Sequence, residues 1–320
     1  MPAQPRIVIP GDQPAQLQGS THLESLRSVA DVVLYDSRPD SDEEKIRRAA
    51  DAELMINSRG AVQWPGSVLK QLPKLRFISV CGIGTDAIDL EVAREQNIVV
   101  SNIPGMTAPV VAEHAFALML ATAKRMAFQT AEMKSGRWTR MDNIYLRGKT
   151  LGIVGTGPIG AAMASLGRTL GMDVVAWTFH PTDQRAEELG VRFVDLDTLL
   201  KTSDVVSLHL KLTDQSHHLM NHEKFAIMKS GSILINTARG GIVNTDALIE
   251  SLDSGHLAGA GLDVYDAEPL PADHPLLQCQ QVVLCPHNAD QTPEGNDILN
   301  AGAVGNVLAF LEGEPRNVVT

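Results

Sequence analysis

Leu151–Gly160, LGIVGTGPIG, is the stretch whose reading decides the fold. An apolar run over 150–154 leads into glycines at 155, 157 and 160, and AAMASLGRTLG follows with helical character. A strand, a glycine turn and a helix in that order suit a dinucleotide's pyrophosphate. The first glycine permits the tight turn, the second lets backbone approach the phosphates, and the third lets the helix lie close on the strand. The helix N-terminus adds free N–H groups. Gly155, Gly157 and Gly160 are therefore candidate cofactor residues.

The turn begins about halfway along the 320 residues, a length that itself suggests two domains. Before it, short apolar runs (RIVIP, DVVLYD, ELMIN, RFISV, NIVVSN) alternate with polar helical stretches (STHLESLRSV, SDEEKIRRAA, PGSVLKQLP, DLEVAREQ). Continuous β-branched runs bounded by turn residues read as buried parallel strands joined by helical crossovers. A long apolar helix is expected from Pro109 to Arg125, then a polar connection, KSGRWTRMDNIYLRGKT. Strands recur in TLGIVG, DVVAWT, VVSLHL, SILINTA, AGAGLDVY and QVVLCPH. The last segment, ILNAGAVGNVLAFLEG, reads as a helix placed to return to the first unit. The expected fold class is α/β, with two Rossmann- or flavodoxin-like parallel-sheet domains.

A formal net charge of -11 argues against nucleic acid and anionic membrane as partners, because both need basic surface. The N-terminus lacks a basic run followed by an apolar one, so no signal peptide is read, and the apolar segments are too short to span a bilayer. Three cysteines, Cys81, Cys279 and Cys285, cannot all pair and lack metal-ligand spacing, which points to a reducing, cytoplasmic setting.

The acid expected about 20 residues beyond the turn, to accept from the adenosine ribose, is missing. Thr178, Phe179 and His180 end that strand instead. A carboxylate there would repel a 2′-phosphate, so its absence lifts the main bar to NADP. His180, Arg185 and Lys211 offer positive charge, and the reading leans slightly to NADP.

Three residues follow successive strands in the second half: Arg239 after SILINTA, Glu268 after GLDVYDA, and His287 after QVVLCP. Ligands of open α/β sheets bind at the carboxyl ends of strands, so the three can converge. Arginine is a planar two-donor clamp for a carboxylate and its neighbouring carbonyl. Histidine can pass on the proton that completes a reduction, and a carboxylate beside it orients the ring and raises its pKa. That set suits hydride transfer to a 2-keto acid.

With those residues in place the chain resembles the D-isomer-specific 2-hydroxyacid dehydrogenase family, which includes D-lactate, D-glycerate, phosphoglycerate and formate dehydrogenases and glyoxylate/hydroxypyruvate reductases. The resemblance runs through GIGTDAIDLEVAREQNIVVSNIPG, VAEHAFALMLA, GKTLGIVGTGPIG, MKSGSILINTARGGIVNTDAL, AGAGLDVYDAEP and PHNADQT, in the family's order. It implies a catalytic Arg at 239, a Glu at 268 and an acid/base His at 287. It places the substrate-carboxylate loop on Gly82, Ile83 and Gly84, with Asn57, Ser58 and Arg59 on the substrate-domain side of a cleft. Cofactor contacts fall on Pro158, Ile159, Thr178, Leu210, Lys211, Thr237, Ala238 and Asp263.

The resemblance further implies a substrate domain built from residues 1–108 and 290–320, with the dinucleotide-binding domain, 109–289, inserted. It implies a substrate class of small 2-keto or 2-hydroxy acids, an NAD(P) cofactor, no metal, and a homodimer whose arm would include Trp138. Two positions depart from the family: Thr178 stands for its usual Asp, and Lys211 for a common Pro. His218 and His222 have zinc-compatible spacing but lack a third ligand, Cys81 lacks a base, and Glu113 and His114 are read as structural. The expected activity is a glyoxylate/hydroxypyruvate-type reductase. A phosphoglycerate-type dehydrogenase and a non-catalytic dinucleotide-sensing corepressor are the alternatives.

Overall fold

The computed structural model describes residues 4–60 and 62–320. The chain divides into two compact units, one running up to Thr107 and resuming at Gln291–Thr320, the other Ala108–Asp290.

The first unit holds β1 (Arg6–Ile9), β2 (Asp31–Leu34), β3 (Leu54–Ser58), β4 (Phe77–Cys81) and β5 (Val99–Ser101). They form one sheet in the order β2-β1-β3-β4-β5, every pair parallel. This is the flavodoxin-like order. Every residue of β3 and β4 is buried, as expected of inner strands covered on both faces. The final helix, Pro293–Leu311, packs on β4 and on the helix Thr21–Arg27. Phe77 and Phe310 stack there with ring centroids 4.5 Å apart. On the same helix, buried Asn300 exchanges hydrogen bonds of 2.8 and 2.9 Å with buried Gln16, which pairs both of these polar side chains.

The second unit holds β6 (Thr150–Val154), β7 (Asp173–Trp177), β8 (Arg192–Phe193), β9 (Val205–Leu208), β10 (Ile233–Asn236), β11 (Gly259–Leu262) and β12 (Val282–Leu284). Their order is β12-β11-β10-β9-β6-β7-β8, again all parallel. Read from β6, this is the Rossmann arrangement, with its topological switch between β6 and β9. The α/β class with two parallel sheets is therefore as the sequence implies.

Two details differ from the sequence reading. The apolar helix is Ala108–Ala123, and the chain turns at Arg125, φ 50°, into a second helix, Met126–Lys134. A left-handed residue breaks the helical hydrogen-bond ladder, which an apolar pattern alone does not reveal. Strand β8 was not foreseen, because two residues carry no periodicity.

Candidate active site

The glycine turn lies at the switch point. Gly155 adopts φ +99°, and a Cβ there would stand 2.6 Å from the His209 carbonyl oxygen. At Gly160 a Cβ would stand 2.0 Å from the Gly155 carbonyl oxygen, so the helix Pro158–Thr169 can approach β6 only as glycine. At Gly157 a Cβ would meet nothing within 4 Å. That open side, at a helix start with Pro158 in its first turn and no side-chain cap, leaves room for a phosphate against backbone N–H groups.

Around the turn, Leu210 and Lys211 follow β9, and Leu210 Cδ2 would lie 2.9 Å from a Gly155 Cβ. Lys211 is exposed, and Thr178, just past β7, is partly buried. Arg185 Nη2 donates to the Thr156 carbonyl at 2.9 Å, which brings a guanidinium onto the turn itself. Its Nη1 lies 3.3 Å from Glu188. Thr237 and Ala238 follow β10, and buried Thr237 Oγ1 has no hydrogen-bond partner among the described residues. An open turn with an unsatisfied hydroxyl nearby fits a dinucleotide.

Sequence reasoning missed His209. Burial pushes its pKa down to about 4, so the ring is neutral, and Nε2 bonds Ser207 Oγ at 2.9 Å. The signal was its place after β9, opposite the turn.

Arg239, Glu268 and His287 follow β10, β11 and β12, which are adjacent in the sheet. His287 Nδ1 lies 2.6 Å from Glu268 Oε2, and Glu268 Oε1 accepts from the Tyr265 amide at 2.9 Å. Burial pushes the Glu268 carboxyl up, but the hydrogen bonds from His287 and the Tyr265 amide, with the Arg239 charge, hold it below the ordinary range. His287 itself sits at φ 52°. Arg239 Nη1 donates to the Ala238 carbonyl at 2.7 Å, while buried Asn236 fixes the loop by accepting from the Ala238 amide and donating to the Arg239 carbonyl.

Gly240 was also missed as a site residue. A Cβ there would stand 2.0 Å from the Tyr265 carbonyl carbon, so its lack of side chain lets the Arg239 and Glu268 loops touch. The Tyr265 hydroxyl then donates to the Cys285 carbonyl at 2.8 Å, tying β11 to β12.

Asp263 is fully buried, and its oxygens accept from the amides of Asn288 at 3.0 Å and Ala289 at 3.1 Å. It thus holds the segment that follows His287. His114, on the helix Ala108–Ala123, brings Nε2 to 3.3 Å from Asp263 Oδ1.

In the first unit buried Asn57 Nδ2 donates to the Val62 carbonyl at 3.0 Å, bracing its own loop, and buried Ser58 Oγ donates to Asp12 Oδ1 at 2.8 Å, tying that loop to the segment after β1. Arg59, φ 51°, reaches Gln16 Oε1 at 3.3 Å and the amide oxygen of Gln291. The Gly82 amide is spent on the Val80 carbonyl at 3.0 Å. The amides of Ile83 and Gly84 have no acceptor among the described residues.

Fold and strand-end residues define a dinucleotide-dependent α/β oxidoreductase. Residues 116–289 match the family described as D-isomer specific 2-hydroxyacid dehydrogenase, NAD binding domain. The chain is 39% identical over 262 residues to a glyoxylate reductase of Thermococcus litoralis, covering 79% of each. It is 42% identical over 241 residues to a hydroxypyruvate reductase of Thermotoga maritima, covering 74% of this chain and 78% of the relative. The crystal structure of a glyoxylate reductase from Paecilomyes thermophila superposes with a TM-score of 0.89 at 28% identity, covering 100% and 99% of the two chains. The chain belongs to the D-isomer specific 2-hydroxyacid dehydrogenase family and is a nicotinamide-dinucleotide-dependent oxidoreductase.

Proposed function

We propose that the protein reduces small 2-keto acids, glyoxylate and hydroxypyruvate foremost, to their D-2-hydroxy acids, with NADPH preferred. The observation that carries the reading is the 2.6 Å bond between His287 and Glu268, with Arg239 on the adjoining loop. The relatives named for glyoxylate and hydroxypyruvate support the substrate class.

The chemistry that a bound nicotinamide supplies is a hydride for C2 of the keto acid. Arg239 grips the carboxylate and carbonyl oxygens and polarises the carbonyl. Glu268, held ionised, accepts the hydrogen bond of the His287 Nδ1–H and stabilises the imidazolium. Nε2 is then the nitrogen that releases a proton to the new alkoxide, and recovers one in the reverse reaction. In the first unit, the unengaged amides of Ile83 and Gly84 are assigned to the substrate carboxylate. Residues up to 108 and from 290 are assigned as the substrate domain and 109–289 as the dinucleotide domain.

The preference for NADPH rests on Thr178 in place of an acid, with Arg185 bonded to the turn at Thr156 and Lys211 exposed beyond β9. Cys81, Cys279 and Cys285 form no disulfide with one another, which suits a reducing, cytoplasmic setting. No helix among the described residues is long and apolar enough to cross a membrane. A homodimer is proposed through the segment 126–145, where Met126, Met133, Trp138 and Tyr145 are all more than half exposed.

One experiment tests the reading. Initial rates with glyoxylate and hydroxypyruvate are measured with NADPH and NADH, for the wild type and His287→Ala, alongside cofactor dissociation constants from tryptophan quenching. Expected are a higher kcat/KM and tighter binding with NADPH, and a loss of about a hundredfold or more in kcat for the variant with binding kept. Equal turnover in the variant overturns the acid/base role, and preference for NADH overturns the phosphate pocket.

A further inference from the structure

We propose that His114 is a positioning residue: its imidazolium is the counter-ion of buried Asp263, and through that carboxylate it holds the backbone that presents His287. The inference rests on the acid/base role of His287 given above.

Asp263 is 0% exposed, and a carboxylate so placed must find donors or neutralise itself. Two of its donors are the backbone amides of Asn288 and Ala289, which follow His287 directly. Those bonds matter because His287, a residue with a side chain, stands at φ 52°. That conformation persists only where the surroundings over-determine it. Glu268 restrains the residue from the ring side, and Asp263 restrains it from the backbone side.

With both oxygens committed to backbone amides and the side chain buried from solvent, the carboxylate calls for a positive partner. His114 supplies one, its Nε2 3.3 Å from Oδ1. Interaction with Asp263, then with Cys285, outweighs burial and raises the His114 pKa to about 9, so the ring is charged at neutral pH. The facing side-chain nitrogen, oxygen and sulfur atoms of His114, Asp263 and Cys285 lie within 4.8 Å of one another. Among the other elements against this helix, β10 carries no titratable group. The helix Pro158–Thr169 carries only Arg168, bonded to the Leu189 carbonyl. On Met126–Lys134, Glu132 pairs with Arg137, and Lys134 ends the helix.

The test uses the full-length protein with NADPH and glyoxylate. His114→Gln keeps the size of the ring but not the charge. It is expected to lower kcat roughly ten- to a hundredfold, the scale of a small misplacement of a catalytic group. KM and the NADPH dissociation constant should stay within about twofold, and His114→Lys, which restores a cation, should recover part of kcat. Wild-type kcat in the Gln variant, or a Lys variant no better than Gln, overturns the proposal.

A second measurement reads the pairing without turnover. Nuclear magnetic resonance of the wild type should show the His114 ring titrating near 9, with the Asn288 and Ala289 amide resonances moving alongside. A ring already neutral at pH 7, or amides indifferent to it, overturns the proposal even if His287→Ala is inactive. Should His287→Ala remain active while the resonances titrate together, the acid/base assignment fails and the pairing stands.

Discussion

At the scale of single residues, the chemistry rests on side chains whose charge is set by a neighbour a few ångströms away. Glu268 is the clearest. Its folded pKa lies below the ordinary 4.5, so its pairing stabilises the fold above that value, and the contribution disappears as pH falls through the lower folded value. Glu268→Gln should therefore lower both kcat and stability at pH 7. The stability gap from wild type should narrow as pH falls below 4.5, as urea unfolding at neutral and at acid pH would show. A gap independent of pH would mean the loss is one of packing alone.

His114 has the opposite sign. A raised pKa gives stability that is complete below 6.5 and is lost as pH rises through about 9. Sequence placed His114 only as a structural residue of an apolar helix. Its neighbour Asp263 lies 149 positions away in the sequence numbering, and no local pattern brings the two together.

Elements place these residues by a simple rule. Parallel strands that sit side by side end on the same edge, so the residues after β10, β11 and β12 converge without a long-range signal. This is why Arg239, Glu268 and His287 were legible from three strand ends. The fine fit between their loops was not. Gly240 reads as one more glycine in a run, yet its missing Cβ lets the Arg239 loop close on Tyr265. Gly240→Ala must push these loops apart, an overpacking that costs about 1–3 kcal/mol. The expected result is a lowered Tm together with a kcat loss, whereas the conformation of the glycine turn, read by NADPH binding, should persist. Unchanged kcat and Tm would show that the two loops have slack. Helix ends were the other blind spot: Arg125 ends the apolar helix by its backbone conformation, and arginine gives no warning of that.

On the scale of the whole molecule, the chain leaves its first unit at Thr107 and returns at Gln291, so the two termini share one unit. Ligand binding should then be felt unequally. A ligand at one hundred times its dissociation constant stabilises the state that binds it by about 2.7 kcal/mol. With NADPH, hydrogen exchange should slow in the segment 150–170, which holds β6, the glycine turn and the following helix. Segments covering β1 and β2 should exchange as before. Equal protection of both would show that the two units open as one cooperative block.

The sequence alone determined the class of fold, the strand order of chemistry along the chain and the residues of the proposed triad. Those features are carried by period, turn chemistry and spacing, all local properties of a chain. Tertiary structure alone decided that the Gly82 amide is already spent on Val80, that Arg185 lies on the glycine turn, and that Asp263 braces the segment after His287 with His114 beside it. These depend on which distant groups meet and in what direction their hydrogen bonds point. A buried charge is fixed by its partners, and its partners are fixed only when the chain has folded.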